Sequence, residues 1–390
     1  MKPGHFFYFL ASTALVISIT VVVFLLASGY RFNTETRTIQ GTGIISINSV
    51  PDGALVYIND VPKNATNTSI TDLTPGGYSV RLNKEGYHSW QQSVIVKKEL
   101  VTKLEALLLP QYPTLQPLTF TGVISPVISP DGQKIIYTVD TGTSTGIWLI
   151  DLEERPFNLS RKPQLLLADT AEIIYSKSTY TWSPDSNSIM IEFPSKIISK
   201  DAKYQIYNLS TSTSTFSLDI TATQGLWNQQ IATRELDRLL GVNTNQQESI
   251  KTLKIIQWSF DNKYLLYQKT DGTKLSYYVL SLQPIDIPTI QQPSPTSTDN
   301  PETLVFETNS TTPHSIKWYP DSKHVIITEF NNASSSISFV EITGENKTQL
   351  FSGDIKDLVV YPNLNGSKVI ILTKFNAEIS NYNLYSIDLR

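Results

Sequence analysis

One short motif recurs along this chain, and it constrains the fold more than any other feature of the sequence. An apolar or aromatic residue and a polar or aromatic one precede Pro-Asp or Phe-Asp, and a dense apolar run follows. The copies occupy residues 128–131, 182–185, 258–261 and 318–321, with a weaker one ending in Asn at 360–363. A unit that repeats in this way predicts an array of similar supersecondary units.

The surrounding pattern predicts four strands in each unit. A short strand leads into the Pro-Asp turn, an apolar strand follows it, a third strand alternates, and a weaker fourth strand links to the next copy. Continuous apolar runs such as 369–372 are typical of strands covered on both faces. Sheets packed face to face around an axis produce that burial, so residues 111–390 are predicted to form a β-propeller of about five blades. We expect residues 114–120 to complete the last blade; a degraded sixth blade within 211–254 is the alternative.

The aspartates of the motif are predicted to form turns rather than to bind a ligand, because Asp bonds to its own local backbone and Pro presets φ. The repeat, carried best by residues 128–132 and 182–185, resembles the TolB-like propeller repeat, a relative of the WD repeat. That resemblance implies a binding or scaffolding role in the cell envelope. The copies with Phe260 and Asn363 depart from the pattern, so the surfaces of individual blades do not carry over.

A long apolar segment begins the chain. Residues 6–26 carry no charge, and fourteen of these 21 residues are Leu, Ile, Val or Phe. As a helix the segment would rise about 31 Å, close to a hydrocarbon core of about 30 Å. We therefore expect residues 1–30 to be an uncleaved transmembrane signal anchor, with the N-terminus cytoplasmic and the later domains extracytoplasmic. A signal peptide cleaved after the apolar segment is the alternative. A polar spacer is predicted over 31–42.

Short strand signals between turn residues predict a small antiparallel β-sandwich over residues 43–109. This segment resembles the PEGA domain: the naming motif stands at residues 51–54 with Asp in place of the family's Glu, and residues 73–78 also fit. The resemblance implies a surface setting with envelope or carbohydrate contact. Tyr87 and Trp90 are the candidate ligand-binding residues, stacking on sugar rings; packing at the edge of the sandwich is the alternative for both.

Composition argues against several classes of function. The net charge is −4 and the basic residues are spread thinly, so no nucleic-acid partner is expected. The chain has no cysteine, which excludes disulfides and thiolate chemistry. Its four histidines lack metal-site spacing, and the sequence predicts no catalytic residue, no metal and no cofactor. Residues 142–146 match the Gly-x-Ser-x-Gly pattern of serine hydrolases, but a strand follows where a helix is required, so a hairpin tip is predicted.

Two segments interrupt the array. Residues 228–240 place apolar side chains near helical spacing, with Gly241 as the stop. The predicted helix either docks a partner helix or covers its own domain. Residues 284–301, rich in Pro, Ser, Thr and Gln, are predicted to be an exposed loop.

Together these features predict an all-β, non-enzymatic cell-envelope protein tethered to the membrane through residues 6–26. Its propeller would be a binding or scaffolding head for envelope proteins. One alternative is a protein that binds glycans or cell wall through the first module. Another is a hydrolase with its site at the propeller mouth.

Overall fold

The chain forms two compact units. The computed structural model describes residues 3–27, 30–33, 38–153, 162–282, 302–331, 334–374 and 381–389. The first unit reaches Tyr112, and the second covers Pro113–Leu389. The predicted loop at 284–301 lies outside the described residues.

Helix α1, Pro3–Ala27, contains the apolar segment that begins the chain. Over the described residues, however, no helix combines the length and the apolar character needed to cross a membrane. The predicted transmembrane anchor and the single-pass localisation are therefore wrong.

Seven strands of the first unit form two sheets around one core, and a hairpin of β1 (Tyr30–Asn33) and β2 (Thr38–Gly41) precedes them. The seven are β3 (Gly43–Val50), β4 (Leu55–Ile58), β5 (Val61–Ala65), β6 (Thr68–Leu73), β7 (Gly76–Asn83), β8 (Trp90–Val96) and β9 (Val101–Leu107). The sheet orders are β6-β3-β9 and β5-β4-β7-β8. Ile45 and Ile47 of one sheet are fully buried with Val56 and Leu82 of the other. The prediction of a purely antiparallel sandwich is wrong, because β3 and β9 pair in parallel. Between these two strands the chain forms the second sheet.

Within its described residues, the second unit contains five four-stranded antiparallel sheets, which we number 1 to 5. Strand β10 (Leu115–Pro117) comes first in the chain. Sheet 1 contains β11 (Ile124–Ile128), β12 (Lys134–Val139), β13 (Gly146–Asp151) and β14 (Gln164–Ala168). Sheet 2 contains β15 (Thr179–Trp182), β16 (Ser188–Ile197), β17 (Ala202–Asn208) and β18 (Thr213–Ser217).

Two helices, α2 (Thr221–Leu240) and α3 (Thr244–Lys251), separate sheet 2 from sheet 3 along the chain. Sheet 3 contains β19 (Lys254–Trp258), β20 (Tyr264–Asp271), β21 (Lys274–Ser281) and β22 (Glu302–Asn309). Sheet 4 contains β23 (His314–Trp318), β24 (His324–Asn331), β25 (Ser334–Glu341) and β26 (Thr348–Gly353). Sheet 5 contains β27 (Ile355–Pro362), β28 (Lys368–Thr373) and β29 (Asn383–Asp388), and β10 pairs with β29 at its edge. That pairing agrees with the strand expected at 114–120, and α2 confirms the helix expected at 228–240.

The prediction of a propeller needs correction, because no closed propeller is found over the described residues. Side-chain-to-carbonyl hydrogen bonds join four pairs of sheets: Trp182 Nε1 to Val127 O (3.1 Å, sheets 2 and 1), Trp318 Nε1 to Gln257 O (3.1 Å, sheets 4 and 3), Lys317 Nζ to Val360 O (2.9 Å, sheets 4 and 5) and Tyr361 OH to Pro126 O (2.8 Å, sheets 5 and 1). Between sheets 2 and 3 the helix pair supplies the packing instead. Val242 and Ile250 pack on Trp258 of sheet 3, and Arg234 of α2 donates to Pro184 O of sheet 2 at 3.1 Å.

Candidate functional site

The Ser-Pro-Asp turns stand at one end of the sheets, and their polar groups bond to one another. Ser129 Oγ donates to Asp131 Oδ1 at 2.5 Å and accepts from Lys134 N at 2.9 Å. The same arrangement recurs around Ser183 and Asp185, where the serine hydroxyl holds the pKa of the carboxyl below its ordinary value. These contacts confirm that the aspartates of the motif form turns.

A pocket lies at the opposite end of the strands, between sheets 1 and 5. Its volume is about 250 Å³. Its polar lining includes Ser125, Asp140, Thr141, Lys356, Asp357 and Tyr382. The pocket opens where inter-strand loops meet, and loops held by a rigid scaffold commonly carry binding residues, so it is a candidate cleft for a ligand or a partner segment.

Irregular strands form two walls of this pocket. The pairing register shifts within β11 between residues 124 and 127, and within β27 between residues 355 and 360. Ser125, Asp357 and Leu358 have φ values of 48°, 53° and 53°, in the left-handed region that non-glycine residues seldom adopt. Bulges of this kind concentrate next to functional sites, where they redirect side chains.

Two half-buried tyrosines hold the β11 bulge from neighbouring sheets. The Tyr180 hydroxyl of sheet 2 donates to Ser125 O, and the Tyr361 hydroxyl of sheet 5 donates to Pro126 O at 2.8 Å. Burial raises the pKa of both phenols, to about 12 for Tyr361, so both remain protonated donors at neutral pH. Lys317 of sheet 4 lies over the Tyr361 ring, with Nζ 4.5 Å from the ring centroid. Residues of sheets 2, 4 and 5 thus support the wall of the pocket that β11 of sheet 1 forms.

Replacing Tyr361 by phenylalanine is expected to lower the free energy of unfolding by about 1–2 kcal/mol, because Pro126 O loses its donor. Urea unfolding would measure the change. Tyr112, which is 86% exposed, provides the matched control, and Tyr112→Phe should leave stability unchanged. Equal stabilities for the two variants would show that the Tyr361 hydroxyl does not support the bulge.

The ionisable groups at the pocket engage one another. The pairs are Lys177 with Asp140 (2.9 Å), Lys356 with Asp357 (3.8 Å) and the Tyr382 hydroxyl with Asp354 (2.8 Å). The last contact raises the pKa of Tyr382. In the part of the chain that the structure describes, no group of three or more His, Asp or Glu residues is placed to hold a metal ion. The arrangement suits recognition of a partner with charges of both signs.

The ligand-binding residues predicted from the sequence, Tyr87 and Trp90, belong to the first unit. Trp90 begins β8, is 4% exposed and packs in the core of the sandwich. Tyr87 is half-buried against the same core, and its carbonyl accepts from Gln111 Nε2 at 3.0 Å. Both rings thus contact the core of the sandwich, and ligand binding by either residue stays a prediction. The sequence did not predict the pocket. Its one sequence signal is the charged pair Lys356 and Asp357, which interrupts the otherwise apolar strand β27.

The Gly-x-Ser-x-Gly match lies between two strands. Ser144 belongs to the loop that joins β12 to β13, and its carbonyl accepts from Trp148 Nε1 at 3.1 Å. Because β13 begins at Gly146, the hairpin tip predicted for this segment is confirmed.

Comparisons with known proteins match the first module to a family model. A family model described as "PEGA domain" matches residues 42–111. No curated protein matches the chain.

Several solved structures resemble the chain at low identity. TolB from Acinetobacter baumannii is 11% identical with a TM-score of 0.25, and the match covers 80% of this chain and 60% of TolB. Oligogalacturonate lyase in complex with manganese is 10% identical with a TM-score of 0.25, covering 84% and 82%. The apo form of AtxE2 isopeptidase is 12% identical with a TM-score of 0.31, covering 85% and 57%. The chain thus spans less than two thirds of TolB and of AtxE2, and TM-scores this low support no inference about activity.

Proposed function

We propose that this chain is a non-enzymatic binding protein of the cell envelope, and that its five-sheet unit carries the site for a protein partner. The observation that carries the proposal is the pocket between sheets 1 and 5, which gathers hydroxyl, carboxylate and ammonium groups that pair with one another. A catalytic site would instead hold a nucleophile against a base. The PEGA-domain match over residues 42–111 supports the envelope setting.

The charged pair Lys356 and Asp357 at the pocket can give up its mutual contact and bind charges on a partner instead. The side chains of Lys356 and Asp357 are 49% and 66% exposed and stand 3.8 Å apart. Exposed pairs of this kind contribute little to stability, so both groups can turn to charges on a partner at small cost. Complementary charges across an interface mainly set specificity and the rate of association. The partner is therefore a protein segment that presents charges of both signs.

Position-specific cross-linking tests this proposal. Because the chain has no cysteine of its own, an introduced cysteine is the only thiol that the reagent labels. A Thr141→Cys variant labelled with a maleimide benzophenone is expected to form one discrete adduct in a cell-envelope extract. The matched control is Lys263→Cys, whose side chain is 73% exposed in a turn at the opposite end of the sheets. Adding Lys356→Glu should reduce the adduct about tenfold, since reversing one interfacial charge is worth roughly 1.4 kcal/mol or more.

The proposal fails if the two labelled positions give the same adducts, or if Lys356→Glu leaves the Thr141 adduct unchanged. Circular dichroism on each variant would show that the sheets remain intact.

A further inference from the structure

A second pocket lies at the end of sheet 2, and it is larger than the pocket between sheets 1 and 5. Its volume is about 560 Å³, within the range of about 300–1,000 Å³ that is usual for small-molecule sites. One wall comes from the segment 193–199, at the end of β16 and just after it. The other wall is formed by Glu172 and Ile174, in the connection between β14 and β15. The pocket therefore belongs entirely to the five-sheet unit.

Strand β16 forms one wall of this pocket because it extends beyond both strands that flank it. Its pairing with β15 ends at Glu192, and its register with β17 breaks after the same residue and resumes only at Ile197. Pro194 lies inside the interrupted stretch, and proline has no backbone N–H to donate to a neighbouring strand. Among the described residues, 193–196 therefore have no register partner on either side, and their backbone borders the pocket.

The floor of the pocket is apolar and is fixed by the hydrophobic core. Phe193 and Ile197 are 2% and 7% exposed and belong to the same core cluster as Trp182. The Phe193 ring packs on Tyr175, with 5.8 Å between the ring centroids. Ile174, in contrast, is 53% exposed in the facing wall. The pocket thus has a preformed apolar floor and an exposed apolar rim, which the apolar part of a ligand can cover with little reorganisation.

The charged groups that line this pocket do not balance. The Lys196 ammonium already pairs with Asp201. Glu172 accepts a hydrogen bond from Ser199 Oγ to its Oε2 at 3.0 Å, but it pairs with no cation among the described residues. An ammonium group carries three donors and no acceptor, so it suits a carboxylate together with backbone carbonyls that no strand uses. The described lining thus has acceptors for a cation, whereas its ammonium group is already paired.

We infer that this pocket binds a small cationic molecule with an apolar body. The ammonium group of the ligand pairs with Glu172, and its apolar body packs against Ile174, Phe193 and Ile197. A cation is favoured because the lining keeps an uncompensated carboxylate, and an apolar body is favoured because the floor belongs to the hydrophobic core. The site shares no lining residue with the pocket between sheets 1 and 5, and the inference does not depend on the function proposed for that pocket.

Fluorine NMR of an aromatic amine tests the inference on the whole chain. The probe is para-fluorophenethylamine, and para-fluorophenethyl alcohol is its neutral counterpart of nearly the same shape. We expect the fluorine signal of the amine to broaden in a saturable way as protein is added. The dissociation constant of the amine should be about tenfold lower than that of the alcohol, because only the amine forms a charge-assisted hydrogen bond to the carboxylate.

Glu172→Gln keeps an acceptor for Ser199 and removes the charge. It should weaken binding of the amine about tenfold and leave binding of the alcohol unchanged, and the retained alcohol binding shows that the pocket is still folded. Ile174→Ser should weaken binding of both probes, because both lose the same apolar contact. The matched control is Glu248→Gln, at a 76% exposed carboxylate of α3 that pairs with Lys251, and it should change neither affinity.

Two results would overturn the inference at once: equal affinity of the wild type for the amine and the alcohol, or unchanged binding of the amine by Glu172→Gln. A third result would do so by moving the site. If Asp357→Asn weakens binding of the amine and Glu172→Gln does not, the cation binds in the pocket between sheets 1 and 5 instead.

Discussion

His324→Leu is expected to lower the free energy of unfolding of the five-sheet unit by about 3–5 kcal/mol at pH 7, the usual cost of removing one member of a buried ionic group. His324 is 5% exposed; its Nδ1 lies 2.6 Å from Asp321 Oδ2 and its Nε2 3.8 Å from Glu341 Oε1. Burial alone would lower its pKa, but the hydrogen bond to Asp321 and the negative charge of both carboxylates outweigh burial and raise the pKa to about 9. Leucine would leave both carboxylates without the cation between them.

The same imidazolium makes stability depend on pH. Its folded-state pKa of about 9 lies above the unfolded value of about 6.5, so its contribution is complete below pH 6.5 and is lost as the pH rises through 9. Over that interval the loss is about 3 kcal/mol. Lys317 acts in the opposite sense: burial lowers its pKa to about 8, so its unfavourable contribution disappears as the pH rises from 8 towards about 10.4.

Urea unfolding from pH 6 to 10 on the wild type, His324→Leu and Lys317→Met separates the two groups. Five of the six tryptophans lie in the second unit, so their fluorescence mainly follows that unit. The fall in stability between pH 6.5 and 9 should vanish in His324→Leu and become steeper above pH 8 in Lys317→Met. If His324→Leu keeps the wild-type slope, the group Asp321–His324–Glu341 is not its source.

Gly146→Ala is expected to destabilise the five-sheet unit by about 3 kcal/mol or more. Gly146 has φ +140°, and a Cβ there would stand 2.0 Å from Leu167 O and 3.0 Å from the Cα of Ala168 in the paired strand. Backbone strain at a non-glycine residue costs of order 1–3 kcal/mol, and the clash with backbone adds to that cost. Thermal unfolding would record the difference as a lowered Tm.

Gly225→Ala is the matched control for this substitution. Gly225 lies inside α2, and a Cβ there meets no atom within 4 Å. Alanine at an open helical position should therefore raise stability by up to about 1 kcal/mol. A similar Tm change for both variants would contradict the geometric explanation. The second glycine of the Gly-x-Ser-x-Gly match is thus required by strand pairing, whatever the serine does.

Local features were predictable because their causes lie within a few residues. The Asp131 and Asp185 turns follow from hydrogen bonds that close within five residues of the motif. Helix α2 follows from apolar spacing and Gly241, and the burial of residues 369–372 follows from a continuous apolar run. In the first module, the alternation of apolar and polar residues marked the strands. It could not show that β3 and β9 run parallel, because their relative direction depends on how the intervening chain connects them.

Features that depend on how sheets face one another were not predictable. The pocket exists because bulges in β11 and β27 meet across two sheets that are more than 200 residues apart in the chain, and the hydroxyl of Tyr361 reaches Pro126 over the same separation, |i−j| = 235. The apolar segment at the start of the chain suggested a spanning helix from composition, and the structure did not support one. Burial of Trp90 likewise depended on which side of its strand met the opposite sheet.

By itself the sequence determined the repeated turn, the four-strand unit and the order of the two modules, because hydrogen bonds within a turn and the alternation of side chains are local. Only the tertiary structure decided which junctions are complete. Trp182 and Trp258 occupy the same place in the same motif, yet one indole has a carbonyl acceptor from the neighbouring sheet and the other packs beneath a helix pair. That difference arises because an acceptor is supplied by the neighbouring element in space, which the motif does not specify.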